Sequence, residues 1–175
     1  IYRCAVVLAL IWGWQSFARY VCHCFIGMHR GIELRKIPRE KVMGPQDLLK
    51  KQLRIYTTVD RPKNAWAGPR KQHSVVESKL EVRFLEKGLA EVPKGEILYP
   101  VSGPMVRSRW ARLMDVLGIE KVPVRSLRGG GTIVLFEKTR DIPYVVWRGR
   151  WQDQRNLEYY LQEALSQSVT ARLAD

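Results

Sequence analysis

A chain of 175 residues suits one domain with a single sizeable core and leaves little room for a second. Its composition, 46% hydrophobic and 27% charged, excludes a disordered or low-complexity protein. Thirty Lys+Arg against 17 Asp+Glu give a formal charge of +13, which disfavours cationic partners and favours polyanions, nucleic acid first among them.

Residues 1–28 are rich in apolar and aromatic side chains. The longest uninterrupted apolar run, Cys4 to Trp14, is well short of the roughly 20 residues a bilayer requires, and Arg3 and Arg19 flank it. The reading is therefore a buried helix pair broken near Gly13, with no membrane partner. Cys4, Cys22 and Cys24 are odd in number and form no C-x-x-C pair, so neither a disulfide framework nor a zinc site is expected. On a helix the neighbours Cys22, His23 and Cys24 diverge, which makes them packed core residues in a reducing compartment. The chain does not begin with Met, and we expect a fragment or a processed protein.

His29-Arg30-Gly31-Ile32-Glu33-Leu34 follows, with an arginine and a glutamate at helix-start spacing. Ile37 to Leu49, broken by Pro38, Gly44 and Pro45, reads as a loop or short elements. Gln52 to Asp60 is β-branched and partly alternating, a strand by pattern, and Pro62, Gly68 and Pro69 turn it back into Gln72 to Glu77 as a hairpin. Lys63 lies in that turn and Lys71 at its end. Leu80 to Leu89 has apolar residues at helical spacing, Leu80, Phe84, Leu85 and Leu89, and Pro93 and Gly95 close it. Leu98-Tyr99-Pro100 is a short apolar element. Met105 to Leu117 is a second amphipathic helix with Trp110, Leu113, Met114 and Leu117 on one face. Its Arg107, Arg109 and Arg112 form a basic side suited to phosphates or to solvent. From Leu127 onward helices dominate: one opening at Gly129 to Gly131, one near Ile142 to Trp147 and one from about Asp153 to Leu165. The glycine triplet is not a P-loop, because no Gly-Lys-Ser/Thr follows; it permits close backbone approach beside a helix start.

Five short stretches then stand in a telling order: Arg30-Gly31-Ile32-Glu33-Leu34, Pro62-Lys63-Asn64, Ser126-Leu127-Arg128, Gly149-Arg150-Trp151 and Leu157-Glu158-Tyr159-Tyr160. Together they resemble the boxes of the tyrosine recombinase (phage-integrase) catalytic domain, in a divergent form of eukaryotic or mobile-element type. The resemblance covers nearly the whole chain. It implies a mainly α fold with a small β-hairpin or sheet (α+β), and residues 1–175 as one catalytic domain, a fragment without the N-terminal core-binding domain that clamps DNA. It implies DNA strand cleavage and rejoining through a 3′-phosphotyrosyl intermediate, as in site-specific recombination and DNA integration, on double-stranded DNA, with no cofactor and with copies assembling on DNA as a homo-oligomer. If the source is eukaryotic, a nuclear or otherwise DNA-associated intracellular location follows.

By that resemblance the site residues are Arg30, Lys63, Arg125, Arg128, Trp151 and Tyr160. Metal-free cleavage of a phosphodiester requires charge stabilisation at phosphorus, a nucleophile and an acid for the departing 5′-oxygen. Arg30 and Arg128 present planar forks that bind non-bridging oxygens bidentately. A tyrosine phenol forms a phosphate ester that stores the bond for rejoining. Lys63, with Lys71 as the alternative, would protonate the 5′-oxygen, and Trp151 would donate its indole N–H. Arg125 departs from the pattern, since the family usually has His or Lys there and an arginine holds a phosphate without acting as a base. The nine-residue interval from Trp151 selects Tyr160 over Tyr159, and Tyr159 is expected to pack against neighbouring helices. Three other readings compete: a catalytically inactive, mobile-element-derived relic that binds DNA, a type IB topoisomerase, disfavoured for want of its larger architecture, and a basic protein held to membranes by residues 1–28.

Overall fold

In the computed structural model, residues 1–48, 52–60, 62, 71–120, 122–152 and 154–162 are described. The apolar N-terminal stretch forms two helices, α1 (Tyr2–Ile11) and α2 (Gln15–Ile26), separated where Gly13 adopts φ +72°. Every residue from Phe17 to Cys24 is buried, so α2 has no solvent face along that run. It is the central helix, packed against α1 and against two later helices, α4 (Lys79–Glu91) and α6 (Ser126–Thr139). Cys22 and Cys24 are core residues and Cys4 is exposed. No helix among the described residues is long and apolar enough to cross a membrane.

A four-residue helix, α3 (Gly31–Leu34), leads into a three-stranded antiparallel sheet of β1 (Val42–Met43), β2 (Ile55–Val59) and β3 (Gln72–Val76), in the order 1-2-3. The alternation in β2 turns Ile55, Thr57 and Val59 inward, and Thr57 pairs with Ser74 across the hairpin. With two residues, β1 is too short to leave a pattern in the sequence. The hairpin turn that carries Lys63 lies outside the described residues.

Helix α4 (Lys79–Glu91) buries Val82, Leu85 and Leu89 and leaves Leu80 72% exposed, contrary to the apolar face expected from sequence. The residues at 82, 85 and 89 follow the i, i+3, i+7 stripe, and Leu80 falls outside it. Helix α5 (Gly103–Val116) starts at Ser102, whose hydroxyl accepts the Met105 N–H at 3.2 Å, and buries Val106, Trp110, Leu113 and Met114. Its basic side folds back on the N-terminal aromatics: the Arg109 guanidinium lies 4.9 Å from the centre of the Trp14 ring, and Arg112 lies 5.1 Å from Trp12.

Helix α6 (Ser126–Thr139) opens three residues before the glycine triplet, so the glycines lie inside it. They serve packing: a Cβ at Gly131 would collide with the Phe25 carbonyl oxygen, one at Gly130 with the Phe25 ring, and one at Gly129 would press on Tyr160 at 3.2 Å. The triplet thus brings α6 against α2. Helix α7 (Ile142–Gly149) is capped by Asp141, which accepts the Tyr144 N–H at 2.9 Å, and residues 154–162 form α8. Two apolar clusters result. The larger spans α1, α2, α4, α5 and the sheet, and a small one joins Val145, Leu157 and Leu161 with Ile133 and Phe136.

Candidate active site

Glu33 is the hub of the site. Its carboxylate accepts the backbone N–H of Arg30 at 3.1 Å, which caps α3, and takes the Arg30 guanidinium at 3.0 Å on its other oxygen. Arg150, just past α7 in the left-handed region at φ 56° and ψ 44°, turns inward and donates to the same carboxylate at 3.1 Å. It also donates to the Met28 carbonyl at 3.3 Å. Burial alone would push the Glu33 carboxyl up, but the Arg150 charge and the Arg30 hydrogen bond outweigh that and hold it well below the usual carboxylate range. His29 Nδ1 stands 3.8 Å away, beyond a hydrogen bond, so the direct bonds come from the two arginines.

His29 is fully enclosed. Its Nδ1 faces an Arg150 N–H at 3.3 Å, and because arginine only donates, Nδ1 must accept. The ring proton is therefore on Nε2, donated to Ser74 Oγ at 2.6 Å. Burial, then the Arg150 charge, pull His29 down to about 4, so it is neutral at pH 7. Behind it His23, also buried, bridges the Tyr99 hydroxyl at 3.0 Å and Thr57 Oγ1 at 2.9 Å. This polar thread ties α2 to the sheet beneath the arginines.

Arg128 sits in the first turn of α6, 7% exposed, and donates to the Gly149 carbonyl at 2.7 Å. Its guanidinium lies 4.6 Å from the centre of the Trp151 ring. Burial, then the nearby Arg30 and Arg150, pull it down to about 9, and it remains charged at neutral pH. Glu33 and Tyr160 act on Arg128 in the opposite direction, which makes all four its electrostatic neighbours. Tyr160 completes the group from α8: its ring lies 5.5 Å from Trp151 and over Gly129.

Tyr159 does not pack against neighbouring helices as the sequence suggested. It is 67% exposed, its ring meeting only Tyr160 edge-on at 6.1 Å among the ring contacts of the described residues. Leu157 and Leu161 occupy the buried face of α8, and at about 100° per residue position 159 points away from both.

Arg30, Arg128, Trp151 and Tyr160 are thus brought together. Arg125 is exposed at the N-cap of α6 and lines a surface cleft with Arg107 and Trp110. Lys63 is outside the described residues, and Lys71 is exposed beside a second cleft. Sequence reasoning missed Arg150, His29 and Ser74 as members. The available signal was the glutamate of the Arg-x-x-Glu-Leu stretch, which once buried needs a cation and further hydrogen-bond donors around it.

Four buried donor atoms in this group have no hydrogen-bond partner among the described residues: Arg128 Nη1, Arg150 Nε, Arg150 Nη1 and Trp151 Nε1. Buried polar groups are ordinarily bonded. With three arginines against one carboxylate, the arrangement is short of negative charge and suits an oxyanion. Among the described residues no cluster of His, Cys, Asp or Glu is placed to hold a metal ion.

No protein-family model matches the sequence, and no curated protein matches it either. Solved structures do match in fold, two of them complexes of one recombinase. One is the XerH site-specific recombinase bound to a palindromic difH substrate in a post-cleavage complex, with a TM-score of 0.67 at 12% identity, covering 89% of this chain and 45% of that one. The other is XerH bound to difH substrate in a pre-cleavage complex, with a TM-score of 0.65 at 14% identity, covering 87% of this chain and 45% of that one. The chain therefore spans about half the length of the proteins it matches. At these identities the likeness is one of architecture: mostly helical around a small antiparallel sheet, the chain has the tyrosine-recombinase catalytic-domain fold.

Proposed function

We propose that this chain cuts and rejoins double-stranded DNA through a 3′-phosphotyrosyl intermediate. The observation that carries the reading is the set of unpartnered buried donors on Arg128, Arg150 and Trp151 beside the Tyr160 ring. Arg30 and Arg128 hold the non-bridging oxygens of the scissile phosphate, and charge building on those oxygens strengthens both contacts in the transition state. The Trp151 indole N–H donates to one of them. The Tyr160 phenolic oxygen attacks phosphorus, its proton passing to water, while the bond from phosphorus to the 5′-oxygen breaks. That oxygen leaves as a hydroxyl after taking a proton from Lys63, the hairpin lysine. Rejoining is the same path reversed, with the 5′-hydroxyl attacking the phosphotyrosine.

The formal charge of +13 supports a duplex as substrate. Glu33 belongs to the positioning apparatus: paired with Arg30 and Arg150, it fixes both guanidinium groups before a phosphate arrives. The test is covalent trapping on a nicked suicide duplex. The unmodified chain should give a denaturant-stable protein–DNA adduct, Tyr160→Phe should give none, and Tyr159→Phe should retain it. An adduct that survives Tyr160→Phe and disappears with Tyr159→Phe moves the nucleophile. No adduct from any form, with duplex binding intact, replaces the enzyme by a DNA-binding protein of the same fold.

A further inference from the structure

Beside the arginine cluster, between β3 and α7, lies a cleft of about 450 Å³ whose walls include Gln72, Lys71, Trp147, Arg148 and Trp151. Its size falls in the range that holds small organic ligands. Trp147 is 69% exposed at this cleft, a large aromatic face left in solvent on a helix that buries Val145 completely. Two other lining residues carry buried polar atoms with no partner among the described residues: Gln72 Oε1 and Arg148 Nε. Arg148 is itself 8% exposed and anchored through its Nη2 on Glu77 at 3.2 Å, which holds its side chain against the cleft wall.

The chemistry of these groups discriminates between ligands. A bare phosphate would satisfy the Arg148 donor but would face the Gln72 oxygen as one acceptor faces another. A nucleobase edge carries donors and acceptors side by side, and its π-face matches Trp147. A base inside a duplex offers neither face nor pairing edge, so the ligand must be unpaired. Lys71, exposed at the cleft, supplies a cation for the nucleotide's phosphate.

We infer that this cleft receives one unpaired nucleotide of the DNA strand being cut, its base stacked on Trp147 and its edge bonded to Gln72 and Arg148. The inference rests on the strand-cleaving reading for its choice of DNA, and it adds a site next to the scissile phosphate where a melted base is held.

Fluorescence anisotropy at fixed salt tests it with three probes: a blunt duplex, the same duplex with a four-nucleotide single-stranded tail, and the duplex with an abasic tail of equal length. The intact chain should bind the tailed duplex about tenfold more tightly than the blunt one. The abasic tail, which has the phosphates and no bases, should give little of that gain. Trp147→Ala should abolish the gain and leave blunt-duplex affinity unchanged, and since Trp147 is exposed the variant should fold. A wild-type chain that does not distinguish the tails, or a Trp147→Ala loss equal on all three probes, overturns the inference. Failure to bind even the blunt duplex in dilute buffer overturns the strand-cleaving reading instead, so the two failures are distinguishable.

Discussion

Arg150 and Glu33 are 117 residues apart in the chain and 3.1 Å apart in space, both buried. Removing one member of such a pair leaves the other as an uncompensated buried charge, at a cost of about 3–5 kcal/mol. Glu33→Ala should therefore be severely destabilised, and Glu33→Ala combined with Arg150→Met should recover part of the loss. Urea unfolding of the four proteins in a double-mutant cycle measures the coupling. Strictly additive losses would show that the contact contributes nothing.

Acid should destabilise the fold early. His29 is held at about 4 in the folded chain, below its ordinary value of 6.5, and burial lowers His23 as well. As pH falls from 6.5 towards 4 the unfolded chain takes up a proton on His29 that the folded chain refuses, so stability is lost through that window by up to about 1.4 kcal/mol per pH unit, and His23 acts in the same direction. Glu33, held low, keeps its contribution above its unfolded value and loses it only on further acidification. Urea midpoints should fall steadily between pH 7 and 4.5, and His29→Gln should flatten that slope by about one proton. Equal midpoints across the range would refute the assignment of neutral buried histidines.

Gly131→Ala should invert the usual rule. In an open helix the change stabilises by about 1 kcal/mol. Here the new methyl meets the Phe25 backbone carbonyl, which has no rotamer to give, so α2 and α6 must separate. Overpacking of this kind costs about 1–3 kcal/mol. Thermal melting decides it, and a raised Tm would show that the helices are not in contact at that point.

Arg128→Lys preserves the charge and removes the fork. Adduct yield on a suicide substrate should fall about a hundredfold or more. Affinity for a blunt duplex, which the whole basic surface supplies, should change little and should decline linearly in log–log form with salt. The lost bond to the Gly149 carbonyl makes a parallel melting curve the control for misfolding. Equal loss of binding and cleavage would mean that Arg128 only anchors DNA.

The cluster of Arg30, Arg128, Trp151 and Tyr160 was legible as a candidate because its residues are of unusual type in a fixed order. Arg30 before a Glu-Leu pair, Arg128 before a glycine triplet and Trp151 nine positions before Tyr160 are readable as spacings along one dimension. Arg150 was not, because its role depends on a left-handed turn that aims an arginine inward across the whole domain. The glycines misled in the same way: periodicity marks a helix, but that α2 presses on one side of it is a tertiary fact. Leu80 shows the converse limit, an apolar residue near the expected stripe that packing did not use. Arg109 and Arg112, which sequence offered to phosphates or to solvent, were taken by tryptophan rings 95 and 100 positions away.

The separation into two apolar clusters divides labour within the site. Arg30, Glu33 and His29 are fastened to the large cluster around α2, whereas Tyr160 rides on α8, whose Leu157 and Leu161 rest on the small one. A helix seated on so few residues opens at a lower free energy than the centre of the domain, and amide exchange along residues 154–162 should be faster than along α2. Each such opening withdraws the phenol while the Arg30 guanidinium, fastened to the large cluster, stays in place. Under the proposed reaction, a phosphate held by Arg30 would stay bound through intervals in which the phenol is withdrawn and no strand is cut.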